Sequence, residues 1–281
     1  MKKVLLSVVM IVAVLTACLG LYACSKLGKV EKTEPKDDAT LEVDKKTDEE
    51  VDGAYTNIAV FGVNAVSQKD KTVDADVVYV ASLNNETKEI KLVPIPGNTV
   101  FEKGSNVRIR DAYAKGGADG AIALLNKSLD LNIKNYVSVD FKAMTETIDI
   151  LGGVEIDVAK DEIPHINGYA ADIAKQCGTS ATNLKDAGKQ TLNGAQATGY
   201  CRIRVTDGGD IKRSSRQNAV IEQMLAKLKD AKFSQMDKIM DAVFPKLETN
   251  FSNTELLGYA KDAASYKLTP VNAFPRKIEA H

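Results

Sequence analysis

An uncharged stretch at the start of the chain constrains everything that follows it. Residues Val4–Cys24 are 21 consecutive positions without a charged side chain, with lysines on both sides. As a helix this stretch would be about 31 Å long, which matches the hydrocarbon core of a bilayer. No second stretch of this kind follows, so the rest of the chain must fold on one side of the membrane. The sequence therefore predicts a transmembrane signal anchor over residues 1–25, in the cell membrane, with an extracytoplasmic C-terminal portion.

The same segment has two other interpretations. Leu15–Cys18 reads Leu-Thr-Ala-Cys, which resembles the lipobox of a lipoprotein. In that case Cys18 would be lipidated and the preceding residues removed. Leu19–Cys24 remains apolar after this point, whereas a mature lipoprotein normally turns polar there. Plain secretion is the third possibility. All three place the folded portion outside the cytoplasm.

The next segment is rich in charge and poor in apolar side chains. Residues 25–53 carry 16 charges in 29 positions, six basic and ten acidic. Such a composition buries too little surface to order itself, so we expect residues 26–53 to form an extracytoplasmic linker. The remaining residues, 54–281, are long enough for one sizeable core and are predicted to form one domain.

Charge and histidine content argue against several classes of function. The 54–281 portion has 29 basic and 28 acidic residues, so no nucleic-acid partner is expected. The whole chain has two histidines, His165 and His281. That number argues against a Ser-His-Asp hydrolase and against a polyhistidine metal centre.

Apolar runs in the 54–281 portion alternate between strand and helix spacing. Strands are predicted where Val- and Ile-rich runs are bounded by turn residues, over Asn57–Val63, Asp76–Leu83, Lys88–Ile95, Asn135–Asp140 and Val154–Val158. Helices are predicted over Ala118–Leu129, Phe141–Leu151, Gly194–Tyr200, Asp210–Lys232, 234–244 and 252–265, with Cys201–Val205 extended and 159–190 a long polar loop. These elements indicate an α/β layered domain with a mixed sheet.

Arginine is used sparingly and in clusters. The chain has seven arginines against 30 lysines, and four of the seven fall within fifteen residues. Period-two spacing would put Arg202 and Arg204 on one face of an extended segment. Arg213, Arg216 and Gln217 have the spacing of one stripe on a helix.

These arginines predict an anion site. The planar guanidinium binds phosphate oxygens bidentately, and a helix N-terminus near Asp210 would add N–H donors. We therefore expect a site for a phosphate or diphosphate, to which a second pair, Arg108 and Arg110, would contribute. The alternative is a cluster of salt bridges with the neighbouring acids, namely Asp111, Asp207 and Asp210.

Two acidic residues frame the start of the second predicted strand. Asp74 and Asp76 are separated by one residue, so both carboxylates would point to one side, as a Mg²⁺ site needs. Acidic residues at a strand start are also ordinary turn formers, which makes the pair a weak signal alone. A diphosphate bound nearby by arginines would strengthen it, because a metal ion neutralises the same phosphates.

Eight segments, in order, resemble the LytR-CpsA-Psr family. They are TNIAVFGVN (56–64), DADVVYVASLN (74–84), IKLVPIPGNT (90–99), RIRDAYAKGG (108–117), YVSVDF (136–141), LGGVEIDV (151–158), LNGAQATGYCRIR (192–204) and DIKRSSRQ (210–217). The resemblance implies a three-layer α/β/α domain with a central mixed β-sheet, which binds a polyprenyl diphosphate lipid between sheet and helices. It also implies Mg²⁺-assisted transfer of a glycopolymer, teichoic acid or capsule-like, from that lipid to peptidoglycan through a phosphodiester link.

The resemblance also implies roles for individual residues. Asp76 matches the metal-associated aspartate of the family, and Arg108 stands where the family often has lysine. The family's phosphate-facing motifs are matched by Arg202, Arg204, Arg213, Arg216 and Gln217. We therefore assign catalysis to Asp76, Arg202, Arg204 and Arg213, substrate binding to Arg108, Arg110, Arg216 and Gln217, and Mg²⁺ binding to Asp76, Asn64 and Asp74.

Four positions depart from the family pattern. Asn64 takes the place of an aspartate, Asp74 that of an arginine, and Gly97-Asn98 that of Arg-Asp. Asp74 and Arg110 could compensate for these losses. Two functions therefore remain open. One is a Mg²⁺-assisted phosphotransferase, and the other is a binding or regulatory protein that keeps the lipid-diphosphate pocket without turnover.

The 54–281 portion contains two cysteines, Cys177 and Cys201. We expect a disulfide between them, because this portion is predicted to lie outside the cytoplasm and no other cysteine there competes. Two buried free thiols are the alternative.

Overall fold

The protein is built around a mixed sheet. A computed structural model describes residues 26–51, 53–63, 73–101, 107–205, 209–262 and 265–269. In chain order the strands are β1 (Glu31–Lys32), β2 (Tyr55–Val63), β3 (Ala75–Asn84), β4 (Glu89–Pro96), β5 (Val100–Phe101), β6 (Val107–Arg108), β7 (Asn135–Asp140), β8 (Val154–Val158), β9 (Gly188–Leu192), β10 (Leu247–Thr249) and β11 (Lys267–Thr269). The central sheet has the order β1-β10-β7-β2-β3-β4-β11, and two small ribbons pair β5 with β6 and β8 with β9.

Helices cover both faces of this sheet. They are α1 (Lys45–Val51), α2 (Ile109–Leu129), α3 (Phe141–Ile150), α4 (Ile163–Cys177), α5 (Gly194–Arg202), α6 (Gly209–Lys229), α7 (Phe233–Val243) and α8 (Asn253–Asp262). Successive side chains of a strand point to opposite faces. Accordingly Phe61 shares a buried cluster with Ile122 of α2, whereas Val60 shares another with Ile148 of α3. The three-layer α/β/α prediction is confirmed.

Most predicted elements are present with bounds shifted by a few residues, and two regions differ. The helix predicted from Ala118 begins at Ile109, with a non-helical Gly117 (φ 63°) interrupting it. The predicted polar loop over 159–190 instead contains α4 and the start of β9. The buried side of α4 is a narrow stripe that includes Ile166, Ala170 and Ile173, and so narrow a stripe in a polar segment gives a weak periodic signal.

The predicted linker over residues 26–53 is wrong, because much of this segment packs on the domain. β1 pairs with β10 in parallel, and Leu27 and Leu41 are each 1% exposed. Its charges find partners on the domain, as when Lys134 bonds to Asp48 (2.8 Å). The predicted anchor at 1–25 lies outside the described residues, and of the helices that are described, none combines the length and hydropathy that crossing a bilayer requires.

The predicted disulfide is also wrong, since both cysteines are free and buried. α4 and α5 pack antiparallel, with Gly199 against Ile166 and Cys177 in one cluster with Ala195. Six helical residues, about 9 Å, separate Ala195 from Cys201, whereas bonded cysteines need Cα atoms within about 7 Å. Burial raises the pKa of the Cys201 thiol to about 12, which suppresses its reactivity.

The start of α5 lies closer to α3 than any side chain would allow. A Cβ on Gly194 would be 2.0 Å from the carbonyl oxygen of Thr145. The N–H of Gly194 donates to the Asp149 carboxylate (2.7 Å). Glycine at this position therefore sets the distance between the two helices.

Replacing Gly194 with alanine should lower the free energy of unfolding by roughly 2–3 kcal/mol, because the added methyl group collides with backbone. Gly168→Ala is the matched control. Gly168 is exposed inside α4, with no atom near its Cβ position, so alanine there should raise stability by about 0.5–1 kcal/mol. Urea unfolding of both variants measures the difference, and equal stability would contradict the close approach.

Candidate functional site

Several strand ends meet at one edge of the central sheet. β2 ends at Val63, which pairs with Ala75 at the start of β3 and with Asp140 at the end of β7. β4 ends at the same edge, because Pro96 pairs with Val77. We call this the site edge. The residues just before β3, those just after β4 and the N-terminus of α3 all adjoin it.

Two predicted site residues meet here as an ion pair. Arg110, in the first turn of α2, donates from Nη2 to Oδ2 of Asp74 (2.6 Å). The backbone N–H of Arg110 donates to the carbonyl oxygen of Gly97, just after β4 (3.2 Å). The acid that takes the place of a family arginine is thus neutralised by a nearby arginine. That Asp74 and Arg110 compensate for the family residues that this chain lacks stays a prediction.

The same pair bears on the predicted Mg²⁺ site. Asn64 and the side chain of Asp76 lie outside what the structure describes. The third predicted ligand, Asp74, has a carboxylate bonded to a guanidinium, an environment that does not suit a metal ligand. Among the described side chains, no group of three or more His, Cys, Asp or Glu residues could hold a metal ion. The described residues therefore do not form this site by themselves, and Asp76 remains its predicted ligand.

Asp140 is an acidic residue at the site edge that the sequence did not single out. It is 2% exposed and caps α3, accepting a hydrogen bond from the N–H of Ala143 (2.8 Å). Burial raises the pKa of Asp140 to about 6. The signal in the sequence was an aspartate at the junction of a predicted strand and a predicted helix, which is a common capping position.

α5 carries Arg202 to the site edge by running antiparallel along α3. Near the far end of α3, Gly194 bonds to Asp149, and one turn on the hydroxyls of Thr198 and Thr145 are 2.9 Å apart. At the near end the Arg202 guanidinium lies 5.8 Å from the centre of the Phe141 ring. Phe141 directly follows Asp140, so this guanidinium is close to the site edge.

The alternation argument for Arg202 and Arg204 is wrong, although both residues follow the same helix end. Arg202 is the last residue of α5 and Arg204 lies beyond it, so the predicted extended segment Cys201–Val205 begins two residues too early. Arg204 is exposed, whereas Arg202 is partly buried. The direction of the Arg202 side chain is therefore set by helix geometry and not by period-two spacing.

The arginines of α6 are buried. Arg213 is 4% and Arg216 2% exposed, and Gln217 is partly buried. Arg216 donates from Nε to the Glu162 carboxylate (2.7 Å) and from Nη1 to the carbonyl oxygen of Ile203 (3.2 Å). These bonds give Arg216 a structural role, and its contact with substrate stays a prediction.

Glu162 is the second residue that the sequence did not single out. Its carboxylate accepts from Arg216 on one oxygen and from the backbone N–H of Ala159 on the other (2.9 Å). Because Arg216 also bonds to Ile203, this buried pair fixes the residue between Arg202 and Arg204. No local pattern around Glu162 predicts a partner 54 positions away.

Arg108 lies beside the site edge but is paired within its own turn. Its guanidinium forms two bonds to the Asp111 carboxylate, from Nε (2.6 Å) and Nη2 (3.1 Å). Both side chains are about half exposed. For Arg108 the structure thus agrees with the salt-bridge alternative.

Known proteins match the chain over most of its length. The sequence model of the LytR_cpsA_psr family matches residues 20–275. The polyisoprenyl-teichoic acid–peptidoglycan teichoic acid transferase TagV of Bacillus subtilis (strain 168) is 28% identical over 206 residues, covering 71% of this chain and 50% of that protein. The transferase TagU of Bacillus mycoides (strain KBAB4) is 27% identical over 275 residues, covering 93% of this chain and 83% of that protein. A solved structure, TagT bound to LIIa-WTA, aligns with a TM-score of 0.55 and 22% identity over 78% of each chain.

Breaking the buried pair should destabilise the fold strongly. Glu162→Ala or Arg216→Ala leaves one buried charge without its partner, so the free energy of unfolding should fall by roughly 3–5 kcal/mol. Lys189→Ala, which breaks an exposed pair with Glu155 (2.6 Å), should cost at most about 1 kcal/mol. Urea unfolding compares them. Similar losses in all three variants would show that the Glu162 pair contributes no more than a surface pair.

Asp140 should make stability depend on pH. Its pKa in the folded chain is above that of an unfolded aspartate, so its contribution is full below about pH 4 and is lost as the pH rises through 6. Asp140→Asn keeps the capping bond and removes the charge. Relative to this variant, the wild type should lose roughly 2–2.5 kcal/mol between pH 4 and pH 7.5. If the free energies of unfolding of the wild type and of Asp140→Asn change by the same amount across this range, the raised pKa is contradicted.

Proposed function

The chain belongs to the LytR-CpsA-Psr family, and from this membership we propose that it is an extracytoplasmic phosphotransferase. Its proposed substrate is an anionic glycopolymer linked to a polyprenyl diphosphate lipid, and its acceptor is peptidoglycan. Two relatives are named as teichoic acid transferases that act between a polyisoprenyl carrier and peptidoglycan. The chain spans half the length of the first of these, TagV, so its activity is proposed from the domain that they share.

The observation that carries the proposal is the delivery of Arg202 to the site edge. Its guanidinium lies over Phe141, with Arg204 two residues further along. A diphosphate carries several negative charges close together, and guanidinium groups bind such oxygens through charge-assisted hydrogen bonds. Both residues match the phosphate-facing motifs of the family, so Arg202 and Arg204 are the proposed phosphate ligands.

The proposed reaction breaks a phosphoanhydride bond of the diphosphate and forms a phosphodiester link to the acceptor. An acceptor hydroxyl of peptidoglycan attacks the phosphorus that bears the glycan. The bond from this phosphorus to the bridging oxygen of the diphosphate breaks, polyprenyl phosphate leaves, and the hydroxyl proton is released. Negative charge accumulates on the phosphate oxygens during this step, and Arg202 and Arg204 are positioned to stabilise it.

Mg²⁺ remains part of the proposal, with Asp76 as its ligand. When bound, the ion would neutralise part of the diphosphate charge and so assist the leaving group. Asp74 is not kept as a ligand, because Arg110 already binds its carboxylate. Asn64 remains a proposed ligand through its side-chain carbonyl oxygen.

We also propose that the chain is attached to the cell membrane through residues 1–25. The uncharged run Val4–Cys24 supports a single span, and a lipid-linked substrate would be met at the same membrane. Attachment through a lipid on Cys18 is the alternative route to this location.

A binding protein without turnover is the second candidate. The Asp74–Arg110 pair favours it, because it removes an acid from the set that could hold Mg²⁺. Such a protein would bind the lipid diphosphate and release no glycan from it. Incubation with a lipid-linked glycopolymer, peptidoglycan and Mg²⁺ separates the two candidates by the appearance of free polyprenyl phosphate.

Replacing Arg202 or Arg204 with alanine should weaken binding of a polyprenyl phosphate by roughly 1.5–3 kcal/mol, the scale of a charge-assisted hydrogen bond. Lysine at either position should restore only part of the loss, because an ammonium cannot bind two oxygens in one plane. Titration of the full-length chain in detergent with the lipid measures the affinity.

Lys267→Ala is the control for the lost charge. Lys267 of β11 is the register partner of Glu89 at the start of β4, which lies at the opposite end of the strands from the site edge. Removing its charge should therefore leave the affinity unchanged. Wild-type affinity in both alanine variants would exclude the proposed phosphate site. Equal losses of affinity in the two arginine variants and in Lys267→Ala would mean that net charge, and not a phosphate site, determines binding.

A further inference from the structure

The last turn of α5 is held by a buried guanidinium of α6. Arg216 donates from Nη1 to the carbonyl oxygen of Ile203 (3.2 Å), and its guanidinium also lies 5.8 Å from the centre of the Tyr200 ring. Tyr200 and Ile203 lie on either side of Arg202 in the chain. Arg216 therefore contacts α5 both before and after the first of the two proposed phosphate ligands.

Glu162 determines where this guanidinium lies. It directly precedes α4 and is 4% exposed. One carboxylate oxygen accepts from Nε of Arg216 (2.7 Å), and the other accepts from the backbone N–H of Ala159 (2.9 Å), which directly follows β8. Because both oxygens are bonded, Glu162 cannot shift toward α6 without losing its bond to Ala159. The turn between β8 and α4 is thereby connected through two side chains to the end of α5.

The bond to Ile203 acts on the direction of the next residue, Arg204. Ile203 ends the helix with an extended backbone (φ −64°, ψ 124°), and its side chain is 0% exposed. Its carbonyl group belongs to the same planar peptide unit as the N–H of Arg204. Holding the carbonyl oxygen therefore fixes the plane from which Arg204 starts. Arg202 starts from the last helical position, so the bond also fixes how the two arginines are arranged relative to each other.

We infer that Glu162 is a positioning residue for the proposed reaction, and that it acts through Arg216 on Arg202 and Arg204. This inference rests on the proposed phosphate site and assigns the residues that orient its ligands before the substrate binds. Ligands that are already oriented lose less conformational freedom on binding. Misplacing such a group by about 1 Å can slow a reaction roughly 100-fold.

Two substitutions change this geometry and keep both charges. Arg216→Lys retains a cation beside Glu162, but one ammonium replaces the fork that reaches both Glu162 and Ile203. Glu162→Asp retains the carboxylate on a side chain that is one methylene shorter, so it cannot keep the bonds to Arg216 and Ala159 together. The full-length chain in detergent with either substitution should bind polyprenyl phosphate roughly tenfold more weakly. Turnover of a polyprenyl-diphosphate-linked teichoic acid should slow roughly 100-fold.

A coupling measurement separates positioning from a general loss of stability. In a chain that already carries Arg202→Ala and Arg204→Ala, adding Arg216→Lys should not weaken the remaining affinity, because the groups on which it acts are gone. Ile133→Val is the control for lost packing. Ile133 is 0% exposed and precedes the start of β7, at the other end of this strand from the site edge. Its affinity for polyprenyl phosphate should equal that of the wild type.

The outcomes separate the positioning role from the proposed function. Urea unfolding shows which variants are folded, and either Glu162→Asp or Arg216→Lys alone is sufficient for the test. Wild-type affinity in the folded variants would overturn the positioning role and leave the phosphate site standing. A tenfold loss that persists without Arg202 and Arg204 would also overturn it. A wild-type chain that does not bind polyprenyl phosphate would overturn the proposed function, and the positioning role with it. In a chain that binds without turnover, the affinities alone decide.

Discussion

The parallel pairing of β7 with β2 decides where the candidate site can form. In parallel strands the carboxyl ends lie at the same edge, so the pairing of Val63 with Asp140 fixes the end of β2 beside the start of α3. Everything after Asp140 depends on that position. α3 runs away from the edge, α5 returns along it, and Arg202 arrives beside Phe141. A shift of one residue in this register would turn every side chain of β7 to the other face.

The charged residues near the site edge are of two kinds: a buried ion pair and arginines that are partly or fully exposed. Arg216 and Glu162 are 2% and 5% exposed, so their charges are tolerated only because each bonds to the other and to backbone groups. Arg204 is exposed, and Arg202 lies at a helix end with its guanidinium over an aromatic ring. The buried pair therefore holds the segment at Ile203, and it thereby positions Arg202 and Arg204, the proposed phosphate ligands, on either side of that residue.

The sequence predicted β2, β3, β4 and β7 of the central sheet because each is a run of apolar, largely β-branched residues bounded by turns. It did not predict the short strands β1, β10 and β11 as strands. It predicted the arginine cluster because arginine is rare in this chain. It failed where long-range contacts decide the outcome. The two-residue strand β1 exists only through β10, the helix α4 has a narrow apolar stripe, and the Glu162–Arg216 bond joins residues 54 positions apart. The disulfide was predicted from the expected extracytoplasmic location and from the number of cysteines. Neither of these observations indicates that α5 packs antiparallel to α4, which is what separates the two cysteines.

The segment after the predicted membrane span shows why charge content alone does not predict disorder. This segment has many charged and few apolar residues. Its charged side chains nevertheless bond to opposite charges on the domain, as Lys26 does to Asp241 and Asp48 to Lys134. Individually such pairs contribute little at a surface. Together with the burial of Leu27 and Leu41 they attach the segment along the sheet. Under the proposed attachment through residues 1–25, a segment fixed to the domain would keep the domain closer to the bilayer than a free spacer would.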